Sequence, residues 1–188
     1  MARKKRIWIP NSFYHVVCRG NRRDTLFKEA EDFNVFLYML SKIKQDLPFD
    51  MASYCLMMNH YHLQIRSTDQ PVSKIMARLN KRYADYFNTK NGYTGHVFEK
   101  RFHDKLVETK QGMLEVSRYI HLNPIGAGIV KRPEDYQWSS YRYYYYQSPH
   151  ELLNMEEIMG CFAGNRKEKQ IQYEQYVNAE KGTYDKCL

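Results

Sequence analysis

The sequence lacks the features by which membrane, secreted and zinc-finger proteins are usually recognised. Its 188 residues contain no apolar run long enough to cross a bilayer, and no long apolar segment follows the basic N-terminus as in a secretory signal. The four cysteines form no Cys-x-x-Cys pair, which is typical of reduced thiols. Internal repeats are also absent. We therefore expect a cytoplasmic globular domain with a decorated end and no membrane partner.

Acidic residues are in deficit, and the deficit is uneven along the chain. The net charge of the whole chain is +8. Residues 1–148 hold 24 lysines and arginines against 14 acidic residues, whereas residues 149–188 hold 5 against 7. This excess predicts a polyanion partner, chiefly nucleic acid. The 17 tyrosines and 9 phenylalanines offer stacking surfaces for unpaired bases, although most aromatic side chains pack in cores.

The hydrophobic patterns predict an α+β fold. We predict strands over 13–19, 51–58, 60–66 and 97–107, and helices over 29–46, 71–89, 110–122 and, as one or two helices, 151–179. This order is typical of a ferredoxin-like sandwich, in which helices cover one face of an antiparallel sheet. The other face would then be open to a ligand. We divide the chain into a domain over 1–148 with a basic arm and a helical tail over 149–188. The tail would either pack back on the sheet or occupy the functional site when no ligand is bound.

Two histidines lie two residues apart in a stretch that is otherwise mostly apolar and β-prone. Because side chains alternate along a strand, His60 and His62 point to one face, while Tyr61 and Leu63 point to the opposite face, where a core would lie. Two imidazoles at a fixed spacing can bind a metal ion or hold a phosphate. Histidine pairs also occur as packed or surface residues, so the pair alone does not establish a site.

A second polar stretch follows much later in the chain. Tyr119 and Asn123 lie four residues apart, which puts them on one face if a helix runs there, and we predict that this face meets the histidines. Two imidazoles and an amide oxygen would leave positions open for a phosphate oxygen. A metal ion there would act as a Lewis acid on the phosphate. Tyrosine titrates near pH 10, so Tyr119 would need the metal or nearby cations to act as a nucleophile.

Cationic residues flank both stretches and are candidates for contacts with DNA. The N-terminal arm contains Arg3, Lys4, Lys5 and Arg6. The polar turn after the first strand adds Arg19 and Arg22, and the charged face of the helix over 71–89 adds Arg78 and Arg82. A disordered arm and a solvated helix face are the structural alternatives. His15, on the first strand, either lies near the site or is simply packed.

These motifs resemble the single-tyrosine HUH transposases, and more closely the REP-associated tyrosine transposases. The resemblance rests on MMNHYHL over 57–63 and YIHLNP over 119–124, with supporting matches in YHVVCRGN over 14–21, GHVFEKRF over 95–102 and DYQWSSY over 135–141. It runs over about residues 5–145, in the order of the family. Tyr61 is bulky and aromatic where the general motif asks only for an apolar residue.

The resemblance implies a site, a chemistry and a substrate. His60, His62 and Asn123 would bind Mg²⁺ or Mn²⁺, and the motif that carries the histidines would lie on a central strand. Asn123 would stand in the place of a glutamine that the insertion-sequence transposases use. Tyr119 would attack single-stranded DNA, form a 5′-phosphotyrosine link and release a 3′-hydroxyl. Substrates would be hairpins or imperfect palindromes flanked by a short guide sequence.

Three functions remain open at this stage. The first is a metal-dependent DNA endonuclease and strand transferase, cytoplasmic and associated with the nucleoid through DNA. The second is a DNA- or RNA-binding protein of the same fold that does not cut. The third, a metal hydrolase of small substrates, is disfavoured by the basic charge and by the lack of a carboxylate base near the histidines. The sequence leaves open whether the protein is a monomer or a homodimer, and which subunit supplies Tyr119.

Overall fold

A computed structural model of the chain describes residues 8–179. The strands in this range are β1 (Phe13–Arg19), β2 (Asp50–Met57), β3 (His60–Arg66) and β4 (His103–Val107). They pair antiparallel in the order β2-β3-β1-β4, so β1 and β3 are central. The helices in this range are α1 (Ala30–Asp46), α2 (Val72–Asn91), α3 (Lys110–Gly126), α4 (Tyr141–Tyr145), α5 (Glu156–Met159) and α6 (Arg166–Asn178). The βαββαβ order and the antiparallel sheet confirm the predicted α+β, ferredoxin-like sandwich.

The first face of the sheet, which carries Val16, Tyr61 and Leu63, packs against α1 and α2. The apolar side chains of these helices recur at helical spacing, and those facing the sheet are buried: Phe33, Phe36, Leu40 and Ile43 of α1, and Ile75, Leu79, Tyr83 and Phe87 of α2. This amphipathic pattern explains why both helices were predictable from sequence. It also places their charged sides on the outside of the molecule.

A buried carboxylate fixes the start of α1 against the end of α2. Asp32 is fully buried and accepts hydrogen bonds from the Lys28 backbone N–H at 2.7 Å and from the Tyr86 hydroxyl at 2.8 Å. Lys90 Nζ lies 2.7 Å from the same carboxylate. Burial alone would raise the pKa of Asp32, but Lys90 and these hydrogen bonds outweigh it and lower the pKa below its usual value. The charged form is therefore the stable one.

We expect Asp32→Asn to lower the free energy of unfolding by about 2 kcal/mol near neutral pH, because a neutral amide replaces the charged acceptor of the Lys28, Tyr86 and Lys90 donors. A carboxylate with a depressed pKa stabilises the fold above the pKa of the unfolded chain, about 4, and the stabilisation is lost as the pH falls through the folded value. Urea unfolding between about pH 7 and pH 3 should show the difference between wild type and variant shrinking towards the acid end. Glu31→Gln is the control, because its exposed carboxylate contacts the same ammonium group. A difference that does not change with pH would contradict the assignment.

The second face of the sheet, which carries His15, His60 and His62, is covered in part by α3. Val116 and Ile120 of α3 pack with Cys55 and Met57 of β2. The antiparallel sandwich is as predicted, but helices lie on both faces rather than on one. The reason is visible in β2, where every residue from Met51 to Met57 is buried. A strand that is apolar on both sides must be covered on both sides.

Before the tail, the largest differences from the predicted bounds are in β4 and α3, whereas α1, β2 and α2 agree to within two residues at each end. β4 begins at His103 instead of residue 97, and before it Phe98 forms an isolated bridge with Gly20. α3 continues past the predicted end at residue 122, with Pro124 inside its last turn. Proline there removes one backbone donor, but the N–H of Ala127 still bonds to the Asn123 carbonyl at 3.0 Å. Asn123 therefore lies in regular helix, one turn after Tyr119.

The described part of the tail packs against α3 and against the sheet, which is the first of the two predicted alternatives, and not over the histidines. The Tyr173 hydroxyl of α6 hydrogen-bonds to Ser117 Oγ at 2.6 Å and to His121 Nδ1 at 2.7 Å. Arg118 Nε donates to backbone carbonyls of α6. The division into a domain over 1–148 and a tail stays a prediction. None of the helices between residues 8 and 179 is both long and apolar enough to cross a membrane.

Candidate metal and nucleophile site

The two histidines of β3 lie together on the second face, as the alternation of the strand predicts. Their ring centroids are 5.0 Å apart. His62 is fully buried, whereas His60, at the start of the strand, is half-buried. Tyr61 and Leu63 point the other way and are buried in the core beneath α1 and α2. The strand therefore separates a packing face from a face that carries the candidate ligand atoms.

α3 brings Tyr119 and Asn123 to the same place. The packing of Val116 and Ile120 on β2 sets the rotation of the helix about its axis. The Tyr119 ring meets the His62 ring edge to face, with centroids 5.5 Å apart. Asn123 Nδ2 donates to the Tyr119 carbonyl at 3.0 Å, and the Asn123 side chain also lies close enough to His60 and His62 to affect both rings. The structure thus gathers all four residues that the sequence predicts for the site chemistry.

The ring nitrogens show how the imidazoles are oriented. His60 Nδ1 lies 2.7 Å from Asn59 Oδ1, and His62 Nδ1 lies 3.0 Å from His15 Nε2. Among the described residues, the buried His62 Nε2 makes no hydrogen bond of acceptable geometry. A buried nitrogen without a partner is costly, and a metal ion is a ligand that would satisfy it. The donor set therefore fits a divalent cation.

Both imidazoles are held in the neutral form that a metal ligand requires. Burial lowers the pKa of His62 well below its usual value, and the neighbouring His15 and His60 lower it further. The pKa of His60 is lowered by burial and by the positive charge of Arg19. The Asn123 side chain acts in the opposite direction on both rings, yet it does not supply His62 Nε2 with the missing hydrogen bond. Neutral imidazoles keep a lone pair for an incoming cation.

Between residues 8 and 179, no carboxylate is grouped with His60 and His62. In the part of the chain that the structure describes, no three histidine, cysteine, aspartate or glutamate side chains form a group that could hold a metal. The candidate ligands are accordingly two imidazole nitrogens and one amide oxygen, all uncharged. A cation held by them would keep its full charge until an anionic phosphodiester arrived, which favours a phosphate substrate.

Only some of the predicted DNA contacts lie near the histidines. Arg19 ends β1 directly opposite His60, and Arg22 follows in the next turn with φ 51°. The turn is tied to the hairpin between β2 and β3, because Gly20 N donates to Asn59 O at 2.9 Å. A Cβ atom at Gly20 would lie 2.2 Å from the Asp24 carbonyl oxygen, so the turn requires glycine.

The other predicted contacts are elsewhere. Arg78 and Arg82 belong to α2 on the first face, away from the histidines, and Arg78 pairs with Asp46 at 3.1 Å. The structure does not bring them to the site, and their contact with DNA stays a prediction. The arm residues Arg3, Lys4, Lys5 and Arg6 lie outside the described residues.

Sequence reasoning overlooked Asn59 and left the place of His15 open. Asn59 lies in the turn between β2 and β3, where the sequence pattern predicts only a bend or bulge. The only signal in the sequence for the hydrogen bond between Asn59 and His60 is that the two residues are adjacent. His15 reaches His62 through the pairing of β1 with β3, across 47 positions of sequence. No local pattern carries that information.

Comparison with known proteins agrees with the fold and the motifs. The family model described as Transposase IS200 like matches residues 9–123. The REP-associated tyrosine transposase of Escherichia coli (strain K12) is 22% identical over 144 residues, which cover 75% of this chain and 83% of that protein. A solved structure of a REP-associated tyrosine transposase bound to a REP hairpin is 18% identical. It superimposes with a TM-score of 0.67, covering 88% of this chain and 93% of the other. The resemblance predicted from the motifs is thereby confirmed.

Proposed function

Because the chain belongs to the family of IS200-like transposases, we propose that it is a metal-dependent single-stranded DNA endonuclease and strand transferase. Its nucleophile is Tyr119, and its substrate is DNA that folds into a hairpin. The solved relative with the same fold is bound to a REP hairpin, which motivates the choice of substrate class. The site of action is the cytoplasm, at the nucleoid.

The observation that carries this proposal is the unsatisfied, buried His62 Nε2 beside the Tyr119 ring. Buried ring nitrogens usually have a hydrogen-bond partner, and a metal ion would give His62 Nε2 the partner that it lacks among the described residues. Here His60, His62 and Asn123 would hold Mg²⁺ or Mn²⁺, which supplies Lewis-acid activation of the phosphate. Tyr119 and His62 belong to the same chain, so the proposal needs no residue from a partner subunit.

The chain's own residues account for the covalent step. The Tyr119 hydroxyl oxygen attacks the phosphorus, forms a phosphotyrosine ester with the 5′ side and breaks the bond to the 3′ oxygen. The phenolic proton is lost to solvent, and the departing 3′ oxygen takes up a proton. Because the ester conserves the bond energy, a 3′-hydroxyl of another DNA end can attack it, joining the strands and releasing Tyr119.

The test is a denaturing gel assay on labelled single-stranded hairpins drawn from the DNA that flanks the gene of this protein. With Mn²⁺ or Mg²⁺ present, we expect a slow band that survives denaturation, together with a shorter DNA fragment. With EDTA, both should disappear. If the protein shifts the labelled hairpin in a native gel but no covalent band forms with either metal ion, the proposal is wrong. The protein would then be a hairpin-binding protein that does not cut.

The arginines beside His60 provide a further prediction about substrate binding. We expect Arg19→Ala to weaken hairpin binding about tenfold and to reduce the slope of log affinity against log salt by about 0.7 to 1, because one phosphate contact is lost. Fluorescence anisotropy over a salt series measures both quantities. Lys42→Ala is the control, since this exposed lysine lies on α1 at the other face. An unchanged salt slope in Arg19→Ala would remove Arg19 from the DNA interface.

A further inference from the structure

His15 is buried beside the candidate metal site, and the covalent step does not use it. It lies on β1 opposite Gln64, one diagonal step from His62 in the sheet. The two imidazoles stack with centroids 5.2 Å apart, and His15 Nε2 lies 3.0 Å from His62 Nδ1. The Tyr119 ring is also close to His15, at 5.7 Å between centroids. One side chain thus contacts both a candidate ligand and the candidate nucleophile.

A hydrogen bond between two neutral imidazoles requires one N–H donor and one lone pair. His62 can bind a cation through Nε2 only if the ring proton is on Nδ1. In that tautomer Nδ1–H of His62 donates to His15 Nε2. The opposite arrangement, with His15 donating, would put the proton on His62 Nε2, where a buried N–H has no acceptor of acceptable geometry among the described residues.

His60 has a matching arrangement on its own side. Asn59 Oδ1 lies 2.7 Å from His60 Nδ1, and the Asn59 amide nitrogen donates to the Arg23 carbonyl at 3.4 Å. That second bond orients the amide so that its oxygen faces the ring. Both histidines therefore have Nδ1 occupied by a protein group, which leaves Nε2 of each for the site.

We propose that His15 is a positioning residue that accepts the Nδ1 proton of His62 and so fixes the tautomer and ring orientation in which His62 Nε2 can bind a metal ion. This role rests on the proposed function, because it presumes that His62 is a ligand. His15 itself touches neither the metal nor the DNA. Its burial, at 7% exposure, keeps water from replacing it as the acceptor.

The first test measures Mn²⁺ affinity by electron paramagnetic resonance of free Mn²⁺, without DNA and without turnover. We expect His15→Leu to weaken Mn²⁺ binding about 10- to 100-fold. His15→Gln, whose amide oxygen can stand where Nε2 stood, should stay within about threefold of wild type. Val17→Ala is the matched control, because Val17 faces the same side and pairs with His62 across the strands but accepts no hydrogen bond. Hairpin binding in EDTA should be the same in all four proteins.

The outcomes separate this role from the function on which it rests. If wild type binds no Mn²⁺, the metal site of the proposed function fails, and the role of His15 fails with it. If wild type binds Mn²⁺ and His15→Leu binds it equally well, only the role of His15 is overturned. Equal losses in His15→Leu and His15→Gln would also overturn it, because rescue by an acceptor is what distinguishes positioning from packing.

A second measurement needs no variant and decides the case if His15→Leu does not fold. Long-range ¹H–¹⁵N spectra of the wild-type protein with Mg²⁺ report which nitrogen of each histidine carries the proton. We expect His62 to be protonated on Nδ1 and His15 on Nδ1. Protonation of His62 on Nε2 would overturn the proposal.

Discussion

Replacing Tyr119 by phenylalanine is expected to abolish the covalent protein–DNA adduct and leave hairpin binding unchanged. The phenyl ring preserves the edge contacts with His15 and His62, so the packing of α3 on the sheet should be preserved. The variant loses only the hydroxyl that would form the ester under the proposed function. We expect adduct formation to fall by a factor on the order of 10³ or more, since no other group of the site can take its place. A denaturing gel reports the adduct, and anisotropy reports binding.

Tyr38→Phe is the matched control for this experiment. Tyr38 is an exposed tyrosine of α1, 62% accessible, on the opposite side of the sheet, and its variant should form the adduct at the wild-type rate. An adduct that persists in Tyr119→Phe would show that another of the 17 tyrosines is the nucleophile. Loss of hairpin binding in Tyr119→Phe would instead assign the hydroxyl to recognition.

The second large effect is expected at His62. Substitution His62→Ala removes a proposed ligand nitrogen, so we expect cleavage to fall more than about 100-fold at any practical metal concentration. The loss of metal binding should also be measurable without DNA, as a loss of the stabilisation against unfolding that Mn²⁺ provides. At a Mn²⁺ concentration 100 times the dissociation constant, binding raises the free energy of unfolding of wild type by about 2.7 kcal/mol. His62→Ala should show no such increase.

Thermal unfolding with and without Mn²⁺ measures this stabilisation directly. The control is His96→Ala, because His96 is an exposed histidine outside the site and should leave the metal-dependent stabilisation at the wild-type value. Metal-dependent stabilisation that persists in His62→Ala would mean that Mn²⁺ binds elsewhere. Because hairpin binding in EDTA does not involve the metal, it should be retained by both variants, which separates metal binding from DNA recognition.

The local pattern of the sequence determined most of the elements and the face on which the histidines lie. β1 and β3 have the predicted bounds, because short β-prone stretches with polar turns beside them leave little choice of start and end. Because side-chain direction alternates along a strand with a period of two residues, the sequence also determines that His60 and His62 share a face. The spacing of four between Tyr119 and Asn123 determined their common face in the same way, since a helix brings such positions together. The family followed from these motifs.

Tertiary structure decided which of these faces meet and what lies beside them. The continuation of α3 past Pro124, the coverage of the second face and the separation of Arg78 and Arg82 from the histidines all depend on packing between distant segments. The contact between His15 and His62 depends on the register of β1 against β3. Local propensity acts over a few residues, whereas register is chosen by the burial of whole faces. The sequence therefore determined the chemistry that each segment carries, and the fold determined the partner of each group.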